Sequence, residues 1–344
     1  MITDRLSSLS GATDSPCPYH AAVSSLRAWV PAGQRVVCLR RRRHRPLGAA
    51  GDNTGTPAAG ETPEVRDARG DGLCDHRTVT ERTVLPSPQE PSITHPQDHL
   101  VAAAVAEHGG RTLLDVRSGP AGLSGRELGD EGDRMAHAAI VAELSALCPG
   151  DAILSEEAVD PESRLGADRI WIVDPLDGTR EFSEPGRADW AVHVALVVGG
   201  ELVAGAVAMP ALGITFGTAS PPTITPRGEG ALRMVVSRTR PPPVAVHVAA
   251  LLAAETVPLG SAGAKSMAVV QGDADIYLHA GGQYEWDSAA PVAVALAAGL
   301  HASRVDGSPL RYNQPDPWLP DLLICRPELA EQVIAAAASA PEPV

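Results

Sequence analysis

Two carboxylates three residues apart, Asp174 and Asp177, close the apolar run RIWIVDPLDGT, with Pro175 between them and Gly178–Thr179 behind. Acids also stand where two other apolar segments end: Glu156–Glu157 after AILS, and Glu285 with Asp287 in QYEWDSAA. A buried carboxylate without a partner is costly, so acids in such places are paired with cations or bound to metal. Basic residues are scarce beside them, and Lys265 is the single lysine of the chain. A hard divalent cation is the natural partner, and an all-oxygen donor set favours Mg²⁺ or Mn²⁺ over Zn²⁺. Pro175 fixes the backbone just beyond the strand. Asp174 and Asp177 can then converge on one side of a tight turn, with the Leu176 carbonyl directed to the same place. Gly178 admits an unusual backbone angle or a close ligand. The amides of Gly178 and Thr179, at a helix start, would form an anion site. Metal beside such a site points to phosphoryl chemistry, where two ions clamp the attacking and leaving oxygens. Read singly, Asp174, Asp177 and Asp287 are also ordinary turn or cap residues; it is their combination that argues for metal.

These acids need elements to carry them. DHLVAAAVAEHGGRTLLDVR has helical spacing interrupted at Gly109–Gly110, and DRMAHAAIVAELSALCPGD predicts a second helix opened by Asp133 and ended by Pro149–Gly150. AILSEE and RIWIVDP read as strands, and WAVHVALVVGGELVAGAVAMP as two strands joined at Gly199–Gly200. Further strands are expected at GITFGT, ALRMVVS and ADIYLHA. Helices are expected at AKSMAVVQG, SAAPVAVALAAG and PELAEQVIAAAA. The mixture predicts a layered α/β or α+β fold rather than a repeating barrel. His193 lies in an apolar strand and reads as a core residue; Trp171, Trp190 and Trp286 read as packing.

The chain is 44% hydrophobic but only 3% aromatic, so its core is built from Ala, Val, Leu and Ile. Its net charge of -14 argues against a general binder of nucleic-acid polymers or anionic membranes. Residues 1–95 hold 12 arginines against 10 acids, leaving 16 basic and 32 acidic residues beyond, so the acidic character belongs to the second region. Residues 1–95 are rich in Pro, Gly, Ser and Thr and read as a disordered extension that includes the basic run LRRRRHR. The folded domain is expected over 96–340. Five widely spaced cysteines without a CxxC pair suit a reducing cytoplasm. No signal-peptide pattern or apolar run of about 18 residues is present, so a cytoplasmic protein without a membrane segment is expected.

DPLDGT after a strand, SEE upstream and EWDSAA downstream resemble the inositol monophosphatase-like family of metal-dependent phosphatases. DPLDGTREF, with Glu181 where the inositol branch more often has Asn, is similar to the 3′(2′),5′-bisphosphate nucleotidase (CysQ-type) branch, as are GSAGAK and GGQYEWDSAAPVAVALAAGLHASRVDGSPLRYN. The resemblance spans about residues 97 to 338. It implies an αβαβα sugar-phosphatase fold and two or three Mg²⁺ ions, with Mn²⁺ an alternative. Glu156, Asp174, the Leu176 carbonyl, Asp177 and Asp287 would be the metal ligands. Asp133, with Asp130 as its neighbouring alternative, would pair with Thr179 to activate the attacking water beside Glu156. Leu176, Asp177, Gly178, Thr179 and Glu285 would meet the substrate, Ser261 and Gly263 are candidates for a substrate-side loop, and Lys265 and Arg180 are candidate contacts to an anion. Ser155 and Pro291 depart from the family's usual residues; the first change matters little, and the second bears on contacts near the organic half of the substrate, not on the metals. The expected reaction is removal of the 3′-phosphate of adenosine 3′,5′-bisphosphate, with its sulfated form a further substrate, by direct attack of water. Lithium inhibition, a role in sulfate assimilation and a homodimer follow as family-level expectations. Inositol 1-phosphate and fructose 1,6-bisphosphate are the alternative substrates. Two other readings stand further off: an aspartyl-phosphate mechanism, whose DxDx[TV] spacing DPLDGT does not match, and a non-catalytic metal- or nucleotide-binding regulator.

Overall fold

The computed structural model describes residues 96–119, 122–159 and 162–341, and the disordered extension expected over 1–95 lies outside them. Two helices, α1 (Pro96–Ser118) and α2 (Gly125–Leu147), precede β1 (Ala152–Ser155) and β2 (Arg169–Asp177). A five-residue helix α3 (Thr179–Ser183) leads to β3 (Ala191–Val198), β4 (Glu201–Met209) and β5 (Ile214–Gly217). These strands form a sheet in the order β1-β2-β3-β4-β5, parallel only between β1 and β2. The second half supplies β6 (Arg233–Ser237), α4 (Pro243–Leu251), β7 (Glu255–Leu259), α5 (Ala262–Gln271), β8 (Ile276–Tyr284) and α6 (Glu285–Ala297). It ends with β9 (His301–Ser303), β10 (Trp318–Cys325) and α7 (Ala330–Ala338), and its sheet runs β7-β6-β8-β10-β9.

Strand periodicity explains the layering. In β2 and β3, Trp171, Val173, Val192, Val194 and Leu196 pack outward with residues of α1 and α2 such as Leu113 and Ile140. Their alternates Ile170, Ile172, Ala191, Ala195 and Val197 pack inward with α5, α6 and the second sheet. Both faces are covered, which is why these strands read as continuous apolar runs. α4 and α7 close the far face of the second sheet through Val248, Leu323 and Val333. The result is the expected αβαβα stack.

The inner layer packs closely because its residues are small. A Cβ on Gly205 of β4 would fall 2.6 Å from Ala293 Cβ of α6. Adding methylenes to such a contact costs about 1–3 kcal/mol. The same logic corrects the expected break at Gly109–Gly110, for α1 runs through both. A Cβ at Gly109 would meet Ile140 Cδ1 at 2.7 Å, and one at Gly110 would meet Pro210 Cγ at 2.7 Å. Close packing of α1 therefore outweighs the propensity cost of about 1 kcal/mol per glycine. α2 begins at Gly125, so Asp133 lies within the helix rather than opening it. Its buried face, Leu128, Gly129, Gly132, Asp133, Ala136, Ile140 and Leu144, has helical spacing but mixes glycines and an acid into the apolar pattern. β7, β9, β10 and α4 are additional to the predicted elements; their segments are short, or carry Pro and charge inside the apolar run. Among the described residues, no helix is long and apolar enough to cross a membrane.

Candidate active site

The DPLDGT turn interrupts the β2–β3 ladder between Asp174 and Asp177. Asp174 is buried, and its Oδ1 accepts the Leu176 amide at 3.0 Å. Gly178 takes the left-handed conformation (φ 91°) that lets α3 start at once. Thr179 Oγ1 then sits 3.3 Å from both Asp133 Oδ2 and the Leu176 carbonyl. The Asp133 assignment is thereby separated from Asp130, an exposed residue paired at 3.6 Å with Arg126.

Asp287 approaches from α6, where its Oδ2 accepts the Tyr284 amide at 2.7 Å and so caps the helix. Asp174, Asp177 and Asp287 each offer an oxygen within 4.8 Å of the others, a grouping that can hold a metal ion. Glu156 is exposed as a residue and lies outside that grouping, but its carboxyl is near enough to Asp174, Asp177 and Asp287 to feel their charge.

The electrostatics describe a site short of positive charge. Burial, reinforced by Glu157 and Glu156, pushes Asp133 up to about 8. Burial and then Asp287 and Glu157 push Glu156 to about 7, and burial and then Asp177 push Asp287 to about 6. Asp174 is raised well above the usual carboxylate range by burial and by the charges of Glu156, Asp177 and Asp287. Asp133 Oδ1 is buried without a hydrogen-bond partner. Crowded oxygens that repel one another, with an orphaned carboxylate oxygen beside them, fit a hard divalent cation.

Asp177 behaves differently. Burial would raise it, but His193, Lys265 and Ser261 hold it below the usual carboxylate range. The Ser261 hydroxyl and the Gly263 amide donate to Oδ2, and the Ala262 amide donates to Oδ1 at 3.0 Å. His193 Nε2 stands 3.2 Å from Oδ2, while Nδ1 donates to the Trp286 carbonyl at 3.1 Å. With both ring nitrogens facing acceptors, burial would lower His193, and the Asp177 carboxylate raises it instead. His193 is in the core, as its strand implied, and it is also a site residue. Only the inward face of β3 reveals that.

Other expected contacts have different positions. Glu285 is buried, and its Oε2 and Oε1 accept the amides of Asn313 and Gln314 at 2.6 and 2.8 Å. Its carboxylate thus braces the 312–317 loop. Lys265 donates to the carbonyls of Gly260 and Ser261 and lies over the Tyr277 ring, so its charge holds the turn before α5. Ser261 and Gly263, placed on a substrate-side loop by resemblance, grip Asp177. Ser261 takes φ 46°, an uncommon backbone for a residue other than glycine and one held by these bonds. Arg180 is exposed. Glu181, the residue that marks the branch, pairs with Arg238 at 2.5 Å, and its Cδ fills the space that a Cβ on Gly260 would take. Its role is to press the Gly260 turn against α3, and Phe182 is core, edge-on to Trp190. Motif spacing does not reach Arg238 or His193 as site residues: Arg238 is distant in sequence, and His193 resembles any core histidine.

The model of the inositol monophosphatase family matches residues 101–342. A Mycobacterium leprae (strain TN) protein named 3′-phosphoadenosine 5′-phosphate phosphatase is 52% identical over 245 residues, covering 68% of this chain and 90% of that protein. A Mycobacterium tuberculosis (strain CDC 1551 / Oshkosh) protein of the same name is 54% identical, covering 67% of this chain and 90% of that one. The 3′(2′),5′-bisphosphate nucleotidase CysQ of Escherichia coli (strain K12) is 33% identical over 201 residues, covering 54% and 80%. Among solved structures, CysQ from Bacteroides thetaiotaomicron superimposes with a TM-score of 0.57 at 27% identity, covering 67% of this chain and 97% of that one. A family match over most of the described residues, on a stack that brings Asp174, Asp177 and Asp287 together, has one conclusion: this chain belongs to the inositol monophosphatase family.

Proposed function

We propose that the protein is a Mg²⁺-dependent phosphomonoesterase that removes the 3′-phosphate of adenosine 3′,5′-bisphosphate. The observation that carries the chemistry is the Thr179–Asp133 contact at the edge of the Asp174–Asp177–Asp287 cluster. The names of the Mycobacterium relatives support the substrate. Asp174, Asp177, Asp287, Glu156 and the Leu176 carbonyl would hold the cations. Cations held there supply Lewis acidity for the charge that builds on the phosphoryl group. The chain's own residues handle the proton. Thr179 Oγ1 donates to Asp133 Oδ2, which leaves the hydroxyl oxygen to accept a hydrogen bond from an attacking water. In its carboxylate form Asp133, kept out of bulk solvent in α2, receives the proton through that hydroxyl. Gly178 and Thr179 flank the turn on the substrate side. His193, Ser261 and Gly263 hold Asp177 charged and immobile, so the cluster is organised before substrate arrives.

Free Cys148 and Cys325 accord with a cytoplasmic location. The test is phosphate release with Mg²⁺ from adenosine 3′,5′-bisphosphate, inositol 1-phosphate and fructose 1,6-bisphosphate, with and without Li⁺. The expected result is fastest turnover of the bisphosphonucleotide and inhibition by Li⁺. Faster turnover of inositol 1-phosphate would overturn the substrate assignment.

A further inference from the structure

The chain is only 3% aromatic, yet three aromatic rings gather where β8 ends, beside the acid cluster. Tyr284 and Trp286 stack with ring centroids 4.7 Å apart and planes within 10°. Trp318 of β10 lies directly opposite Tyr284 in the antiparallel ladder, so the two side chains share one face of the sheet. Tyr284 is 45% and Trp318 49% exposed. Every other aromatic among the described residues is buried, except half-buried Trp286. A fold so short of aromatics leaves two uncovered, side by side.

The local backbone is built to present them. The β8–β10 register shifts between Leu319 and Asp321, opposite Gly281 and Gly282, which have φ of 104° and 92°. A Cβ on Gly282 would fall 2.6 Å from Trp318 Nε1, so the Trp318 ring lies across that glycine. A bulge of this kind re-aims side chains. The Tyr284 amide donates to Asp287 Oδ2, which starts the aromatic surface one hydrogen bond from the cluster.

We propose that Tyr284, backed by Trp286 and flanked by Trp318, is the stacking shelf for the nucleobase of the substrate. This rests on the reading of the acid cluster as the phosphate site. A ligand that carries a phosphate and a flat π-face matches an acid cluster with aromatic rings adjoining it. Aromatic stacking of a base needs no hydrogen-bond readout, so the shelf selects nucleotides as a class. A cyclitol or hexose phosphate has no π-face to offer it.

The experiment compares the full chain with Tyr284→Ala, Tyr284→Phe and Trp318→Ala, all at exposed positions. It measures KM and kcat for adenosine 3′,5′-bisphosphate and the quenching of tryptophan fluorescence by AMP. Tyr284→Ala and Trp318→Ala should raise KM and the AMP dissociation constant about tenfold, with kcat near the parent value, and Tyr284→Phe should retain parent affinity. Phosphate release by the parent, with KM and AMP affinity within twofold in both alanine variants, overturns the shelf. If the parent releases no phosphate from any ester, the reading of the cluster fails instead. The shelf then stands or falls on whether Tyr284→Ala weakens AMP quenching.

Discussion

At the scale of residues, the site divides its carboxylates into two kinds. Asp177 is satisfied by protein donors and stays charged, while Asp133, Glu156, Asp174 and Asp287 are driven up by burial and by one another. Asp133 is the member with a hydroxyl partner on one oxygen and none on the other. Asp133→Asn preserves shape and removes the proton acceptor. Turnover should fall about 10²- to 10⁴-fold with little change in KM. Steady-state kinetics on the correctly folded variant check this, and turnover within threefold of the parent would remove Asp133 from the reaction. The acids at the ends of the apolar runs, Glu156, Asp174, Asp177 and Asp287, were picked out by type and spacing, because a carboxylate at the end of a buried apolar strand is costly until a cation neutralises it; the place of Asp133 came from the family resemblance. The contacts of Glu285 and Lys265 were not readable. Their partners, the 313–314 amides and the 260–261 carbonyls, depend on how loops return, and local spacing carries no record of that.

At the scale of elements, the critical contact is α5 against β3. The first turn of α5 delivers the Ser261, Ala262 and Gly263 donors to Asp177, and only a glycine permits the approach. A Cβ at Gly263 would overlap His193 Nε2 and stand 3.1 Å from Asp177 Oδ2. His193 cannot retreat, being fully buried and tied to the Trp286 carbonyl. Gly263→Ala should therefore push α5 off β3, costing about 1–3 kcal/mol of stability. The resulting misplacement of Asp177 should cost about 10²-fold in turnover. Thermal unfolding and kcat measured together check both, and a variant with parent turnover would show that the α5 grip on Asp177 is dispensable. The Glu181–Arg238 pair works alongside this contact, joining α3 to the end of β6 and pressing on the Gly260 turn.

At the scale of the whole molecule, the raised carboxyls couple stability to pH and to cations. Asp133 moves from its ordinary 3.8 to about 8 and Glu156 from 4.5 to about 7, so the native metal-free protein binds more protons than the unfolded chain between those values. Stability then falls as pH rises above about 4 and reaches its low plateau above about 8. Asp177 has the opposite sign, stabilising at every pH above its depressed value. The metal-free protein should unfold at a lower temperature at pH 8 than at pH 6. Mg²⁺ should raise the unfolding temperature more at pH 8, because it binds the deprotonated cluster. Calorimetric scans at the two pH values, with chelator or with Mg²⁺, check this. Equal Mg²⁺ effects at both would detach the acids from the metal.

The sequence by itself determined the acid inventory, the layered order of most strands and helices, and the turn that joins Asp174 to Asp177. These are local: strand alternation, helical spacing and the chemistry of proline and glycine are read within a dozen residues. Only the tertiary structure decided that α1 passes straight through Gly109–Gly110, that Asp133 lies within α2, and that His193 and Arg238 serve the site. Each depends on what the residue packs against across the stack, and a glycine that breaks an isolated helix is the same glycine that lets two helices touch.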